Sequence, residues 1–255
     1  MATYKKKYKA KTKAEKEQNI EDGSTTAEVF NTLDETASKT EAFVEKNQKY
    51  IFIIIAVVAL VVLGSLAYKE YIAKPKQLNA MNDMFQAQKY FDQAVNGVAK
   101  DSLFNLALNG GEGKFGMLDI IEEYSGTPSA NLASYYAGTA YLKLKDYKNA
   151  VEHLSNFKSD DEVLVALAKG NIGDAFVQLD QKEDALTYYE QAAKLRDNEY
   201  TTPMYLHKAG IIALDLGKAD KSLTYFESIK DNYPTSTEAT NIDVFIGKAQ
   251  VLANK

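Results

Sequence analysis

The sequence predicts an all-α protein in which a single transmembrane helix is followed by an α-solenoid of stacked helix pairs. Two observations lead to this class. Residues 50–68 form an uncharged apolar run that is long enough to cross a bilayer. Downstream, glycines recur 35 and 37 residues apart, each within a stretch whose apolar residues have helical spacing.

Residues 50–68 read YIFIIIAVVALVVLGSLAY and are flanked by Lys49 and Lys69. As a helix, this run spans roughly 28 Å, and the tyrosines at its two ends suit the membrane interface. About fifty residues precede the run, so we interpret it as an uncleaved anchor rather than a signal peptide. Lysines near its two ends are balanced, and the lysine-rich N-terminal tip favours a cytoplasmic N-terminus.

Two segments precede the anchor. Residues 1–24 are rich in lysine and polar residues, which predicts a disordered cytoplasmic tail. Residues 25–49 carry Val29, Phe30 and Leu33 at helical spacing, which predicts an amphipathic juxtamembrane helix. Such a helix lies on lipid headgroups or docks against a membrane partner, and the sequence leaves both interpretations open.

The repeated units occupy residues 131–234. A small residue follows each of three glycines by twelve positions, and a large residue follows by sixteen. Two antiparallel helices approach closely only where small residues meet, so we expect each glycine to face the small residue of its pair. One pair cannot cover its own apolar face, and therefore several pairs must stack. The sets are Gly138, Ala150 and Leu154; Gly173, Ala185 and Tyr189; and Gly210, Ser222 and Phe226.

These units resemble tetratricopeptide repeats, with glycine at the eighth position, Tyr141 and Phe176 at the eleventh, and Pro234 closing the third unit. Ala213 and Ser222 depart from the usual pattern. The resemblance implies a solenoid of helix-turn-helix units. Residues 69–130 are predicted to form a degenerate first helix pair with a glycine-rich insertion at about 96–114. Residues 235–255 are predicted to form a C-terminal capping helix.

The insertion contains Gly111, Gly113 and Gly116, which have the spacing of a dinucleotide-binding loop. That site requires a preceding strand and an acidic residue about twenty positions later. Here helical segments lie on both sides, and tyrosines occupy the later position. We therefore interpret the stretch as a flexible inter-helix loop and expect no cofactor.

Composition argues against catalysis. The chain has no cysteine and two histidines, and its formal net charge is -5. Thiol nucleophiles, disulfides and thiolate metal sites are therefore excluded. His153 and His207 fall in different units without clustered acids, so we expect no metal site and no enzyme. The mild acidity also argues against nucleic acid as a partner.

A stack of helix pairs presents a concave surface formed by the first helix of each pair, and this surface is the expected binding groove for protein partners. Tyrosine and methionine there suit contact with extended segments, although Tyr135 and Tyr136 could equally be core residues. A carboxylate clamp, known in some tetratricopeptide domains, is not expected because only Asn171 matches it fully and Lys208 is a like-charge substitute. The groove candidates are Leu132, Tyr135, Tyr136, Thr139 and Lys143; Asn171, Asp174 and Gln178; and Met204, His207, Lys208 and Ile211.

The whole layout resembles the YfgM-type bacterial inner-membrane proteins over residues 40–255, most clearly from Thr127 to Ala150. The lysine-rich tail is outside that pattern. The resemblance implies a scaffold or holdase that is accessory to the Sec translocon, with its C-terminal domain in the periplasm. The implied partners are translocon subunits, a membrane-anchored prolyl isomerase, unfolded client chains and the lipid bilayer.

Two alternatives stay open at this stage. The chain could be an envelope assembly or division scaffold that recruits a cell-wall or outer-membrane enzyme. With the reversed topology, it would instead be a cytosolic adaptor.

Overall fold

The computed structural model describes residues 25–97 and 100–254, with side chains from residue 40 onward. The tail predicted for residues 1–24 lies outside the described residues, as do the apolar side chains expected between 25 and 39. The chain divides into two compact units, Met1–Tyr68 and Lys69–Lys255.

The described part of the first unit is one helix, α1, at Thr25–Tyr68. Its isoleucine, valine and leucine side chains between residues 53 and 66 are exposed around the helix. A helix that is apolar on all sides requires cover by protein or lipid. Among the described residues, this apolar stretch lies in the one helix that is long and apolar enough to cross a membrane. The fold is therefore compatible with a single transmembrane helix.

The second unit begins with a π-helical segment at Lys69–Ala73 and continues through ten α-helices within the described residues. From α4 onward, each helix packs mainly against its neighbours in the sequence. An isolated bridge between Gly111 and Lys114 is the one β pairing in this part of the chain. The helices are α2 Lys74–Asn96, α3 Lys100–Asn109, α4 Met117–Glu123, α5 Pro128–Lys143, α6 Tyr147–Asn156, α7 Glu162–Gln178, α8 Lys182–Lys194, α9 Thr201–Asp215, α10 Ala219–Asn232 and α11 Ile242–Ala253, with a 3₁₀ turn at Thr237–Ala239 before α11.

The first helix of each repeated pair ends in the same way. The second residue after the helix adopts a left-handed conformation, with φ of 65° at Lys145, 57° at Asp180 and 72° at Gly217. The next amide then donates back into the last helical turn, as Asp146 does to the Tyr141 carbonyl at 2.9 Å. These bonds satisfy carbonyls that the helix leaves free and reverse the chain into the second helix.

The predicted crossing points are present. A Cβ atom on Gly138 would lie 2.6 Å from the Leu154 side chain and 3.1 Å from the Ala150 carbonyl. The large residue of each set also presses on the glycine of its own pair, as Tyr189 does on Gly173 and Phe226 on Gly210. The glycines therefore make room for the large residue as well as for the facing helix.

Ser222, which departs from the repeat pattern, has a structural role. Its side chain is fully buried, and its hydroxyl donates a hydrogen bond to the Gly210 carbonyl at 2.8 Å. A buried hydroxyl without a partner would be costly, and this bond removes that cost. The bond therefore joins the two helices of the third pair directly at their crossing.

Residues 100–109 of the insertion predicted at about 96–114 form a helix, α3, ahead of the glycine-rich stretch. α3 buries Phe104, Ala107 and Leu108, and the Phe104 ring packs edge-on against Phe91 at 5.5 Å between centroids. α2 contacts α3 more extensively than the short α4, which packs on α5 instead. The apolar residues of this segment have helical spacing, so it is stabilised by burial despite the glycines that follow it.

Both histidines are half-buried between helices. His153 stacks on Tyr141 with 5.4 Å between ring centroids, and His207 lies 4.7 Å from the Phe245 ring by the same measure. Burial lowers the pKa of each imidazole below its ordinary value of 6.5. The folded protein therefore favours the neutral form of both histidines.

We predict that Gly138→Ala lowers the free energy of unfolding by about 1–3 kcal/mol, because the new methyl group must displace Leu154 and the paired helix. Gly247→Ala in α11 is the matched control, since its Cβ would meet no atom within 4 Å. That change should raise stability by about 0.5–1 kcal/mol. Urea unfolding of the full chain in detergent measures both, and equal effects would contradict the crossing.

We also predict that stability falls as the pH drops below 6.5. The unfolded chain binds protons at His153 and His207 before the folded chain does, because burial lowers the folded pKa of both. The contribution of the two neutral histidines to the free energy of unfolding is complete above pH 6.5. It is lost as the pH falls through their pKa in the folded protein. Urea unfolding at several pH values should give a shallower decline for His207→Gln than for the unmutated chain. An unchanged decline would show that His207 is not desolvated.

Candidate functional site

The first helices of the repeated pairs approach one another directly, since α5 contacts α7 and α7 contacts α9. The second helices are less close and are linked by long side chains. For example, Tyr225 of α10 donates to Glu190 of α8 at 2.8 Å. The second unit therefore curves toward α5, α7 and α9, and we call the face that these three helices share the inner groove.

A charged cluster lies at the centre of the inner groove. Asp174 of α7 accepts hydrogen bonds from Lys208 of α9 at 2.7 and 2.8 Å and from the Tyr189 hydroxyl at 2.6 Å. The Lys208 ammonium also lies 5.6 Å from the Tyr189 ring centroid and 5.8 Å from that of Tyr205. Because the carboxylate and the ammonium neutralise each other, the centre of the groove carries no net charge.

Burial raises the pKa of the Tyr189 hydroxyl, and the adjacent Asp174 carboxylate raises it further. Burial likewise raises the pKa of Tyr205, with smaller contributions from Asp174, Tyr135 and Tyr200. Both hydroxyls therefore keep their protons, and Tyr189 acts as a hydrogen-bond donor toward Asp174.

A polar ladder connects α5 to α7 beside this cluster. The Asn171 side-chain amide donates to the Thr139 hydroxyl at 3.4 Å, and that hydroxyl donates to the Tyr135 carbonyl at 2.8 Å. Asn171 is half-buried and lies one turn before Asp174. The groove candidates Thr139 and Asn171 thus form one polar link between α5 and α7, and Asp174 and Lys208 form a second one between α7 and α9.

Tyr135 and Tyr136 are half-buried, so each is in part a core residue and in part an exposed residue of a groove helix. The Tyr136 ring packs against Phe91 at 4.9 Å between centroids, and Tyr135 packs against Phe157 at 5.3 Å. Burial raises the pKa of both hydroxyls. Each ring belongs to the core on one side and presents its remaining surface to solvent.

The other candidates differ in exposure. Lys143, Gln178 and Ile211 are exposed. Leu132, Met204 and His207 are half-buried and belong in part to the core clusters or to ring contacts. The structure therefore places the twelve candidates on α5, α7 and α9 but gives these three a packing role as well.

Sequence reasoning missed the tyrosines that complete the central cluster. The Tyr205 ring lies against Gly170, where an added Cβ would come within 2.0 Å of it. Gly170 and Gly173 stand one turn apart on α7, and each receives a tyrosine ring. The signal was present in the sequence, because Gly170 is a second glycine in a helix that needs only one for its crossing.

A cavity of about 660 Å³ at the α2 side of α5 was also missed. It is open and has a mixed apolar and polar lining. The lining residues are Phe85, Gln88, Lys89, Asp92, Gln93, Asn96 and Tyr136. Because Tyr136 belongs to both surfaces, this cavity extends the inner groove toward α2.

The glycine-rich stretch is a tight structural turn. Gly110 and Gly113 have positive φ values of 78° and 72°, which glycine adopts without strain. The Gly116 amide, which a phosphate would need, donates to the Asp119 carboxylate at 2.9 Å. Within the described ranges, no group of three or more histidine and acidic side chains is placed to hold a metal ion.

Comparison with protein families finds two matches, both described as tetratricopeptide repeat. One covers residues 132–161, from within α5 to beyond α6, and the other covers residues 171–237, from within α7 to beyond α10. A comparison with curated proteins found no match. The two matches fall on the helix pairs that form the inner groove, and together with the all-helical fold they support a tetratricopeptide-repeat protein whose second unit is an α-solenoid.

Proposed function

We propose that this chain is a membrane-anchored scaffold whose inner groove binds extended segments of other polypeptides. The observation that supports this most directly is the composition of the groove. Tyrosine rings and amide side chains lie near the charge pair of Asp174 and Lys208, so the surface combines apolar contact, hydrogen bonding and little net charge. Tetratricopeptide repeats generally mediate contacts between proteins, in agreement with the two family matches.

The groove has features that suit an unfolded client. An extended chain presents a free N–H and C=O at nearly every residue. Exposed Gln178 and half-buried Asn171 can pair with such groups, and Tyr200, 65% exposed near Tyr135, adds an apolar surface. Because Lys208 is already paired with Asp174, a terminal carboxylate gains little there. We therefore infer preference for internal, weakly charged segments.

The membrane anchor determines in which compartment the groove encounters these segments. We infer that residues 50–68 span the inner membrane of a bacterium, with the N-terminus in the cytoplasm and the repeats in the periplasm. The resemblance to YfgM-type proteins supports a position beside the Sec translocon together with a membrane-anchored prolyl isomerase. There the chain would act as a non-enzymatic holdase that assists the folding of translocated proteins.

A photo-cross-linking residue at Gln178 or Ile211 should form adducts with polypeptides that are crossing the membrane, because both are exposed candidates on the groove helices α7 and α9. Asp184 on α8 is an exposed control outside the groove. We expect groove adducts several-fold above those at Asp184, measured by immunoprecipitation of labelled translocating chains. Equal adducts at all three positions would contradict the groove as the binding surface.

Affinity purification of the full chain from gentle detergent identifies the proteins that associate with it in the membrane. Recovery of translocon subunits with a prolyl isomerase agrees with the proposed function. Recovery of cell-wall or outer-membrane enzymes would favour the envelope scaffold instead. Cross-linked adducts at Gln178 and Ile211 that contain cytosolic proteins alone would indicate the reversed topology. That result would overturn both periplasmic interpretations.

A further inference from the structure

One side of α2 carries apolar residues that the fold does not bury. Leu78, Met81, Phe85 and Val95 are 60%, 53%, 64% and 50% exposed, and we call them the α2 stripe. The opposite side of α2 is in the core, where the buried residues include Met84, Tyr90 and Phe91. α2 therefore has two apolar faces, and its own unit covers the second one only in part.

The spacing of the α2 stripe is that of a helix-to-helix seam. Phe85 follows Leu78 by seven residues, and Met81 follows Leu78 by three. Val95 falls fourteen residues after Met81 and keeps the same register. These are the a and d positions of a heptad, which a straight helix presents to a second helix lying alongside it. An extended peptide or a lipid surface would not require this register.

A second copy of the chain supplies a matching helix. A single membrane span inserts every copy in the same direction, so the α2 helices of two copies follow their spans by the same number of residues and pair in parallel. This step rests on the membrane anchoring given above. We propose that the α2 stripe pairs with the α2 stripe of a second copy, forming a parallel two-helix seam in the membrane-anchored chain.

The polar residues of α2 indicate where the seam is closest. Gln88 and Asp92 occupy the heptad positions between Phe85 and Val95, and both line the cavity beside Tyr136. A carboxylate is costly to bury in a helix seam without a partner. The seam is therefore tight from Leu78 to Phe85 and more open at Asp92, where the cavity remains accessible to solvent.

The size of the α2 stripe indicates why the membrane matters. It spans about 26 Å of helix, and four side chains bury less area than the roughly 1,200 Å² of a stable interface between free proteins. Confinement in a bilayer raises the effective concentration of co-oriented copies and compensates for a small seam. Pairing is therefore expected in membranes.

The absence of cysteine makes the seam directly testable. Single cysteines are placed at Leu78, Met81 and Phe85 in the full chain, and native membranes are treated with copper phenanthroline. We expect disulfide-linked dimers at these positions several-fold above those of Asn79→Cys and Gln86→Cys. Each control position follows a stripe residue by one, so it has similar depth along the helix and points away from the seam.

Copies carrying two different tags establish that the cross-linked species contains two of these chains. Met81→Lys, combined with Leu78→Cys, should reduce the dimer several-fold because it places like charges in the seam. Equal yields at stripe and control positions, or no dimer, would overturn the proposal. So would stripe cross-links that contain only another protein.

Carbonate extraction of the same membranes separates this proposal from the proposed function. Retention in the membrane without stripe dimers overturns the seam alone. Release by carbonate overturns the anchoring and the seam that depends on it, while the groove cross-links at Gln178 and Ile211 still report on polypeptide binding.

Discussion

The close approach of two helices at a glycine is the constraint on which the second unit depends. At Gly138, Gly173 and Gly210 the space that a side chain would fill is occupied by Leu154, Tyr189 or Phe226 of the second helix. Each large residue then contacts the following pair, as the Tyr189 ring does with Tyr205 and Phe226 does with Phe245. The same residues therefore close one pair and stack it on the next.

The inner groove follows from this packing. Because the first helices approach one another closely, side chains about one repeat apart in sequence meet across the groove, as Lys208 and Asp174 do. Long side chains link the second helices of neighbouring pairs, since Lys221 and Tyr225 of α10 are both bonded to Glu190 of α8. Burial alone would raise the pKa of Glu190, but these bonds and the nearby lysines outweigh it and hold the pKa below its ordinary value. The groove is a consequence of repeat stacking, with its charges paired internally.

The sequence predicted the helix pairs well because their determinants are local and repeated. Gly138 and its equivalents recur at fixed spacing, and the choice of small or large residue at each crossing is visible without a structure. α3 was missed because a ten-residue helix gives a short pattern beside a conspicuous glycine cluster. Lys145 and Asp180 gave no warning of their left-handed backbone, which is imposed by the bonds that end the helix.

The candidate site was predictable as a face and not as a set of contacts. Helical spacing placed Asn171, Asp174 and Lys208 on first helices, and the structure brings them to the same groove. The pairing of Asp174 with Lys208 depends on the rotation of α9 against α7, which local sequence does not specify. That rotation also turns Tyr205 toward Gly170, so the extra glycine on α7 signals a close contact, and tertiary packing decides that Tyr205 makes it.

Amide hydrogen exchange of the full chain, resolved by mass spectrometry, tests most directly whether the helices form packed pairs. If the crossings hold, the two helices of a pair open together, so α5 and α6 should share one level of protection, and α7 and α8 another. The account predicts matched protection within each pair and slow exchange at the crossing glycines. Protection of α5, α7 and α9 with rapid exchange throughout α6, α8 and α10 would contradict it.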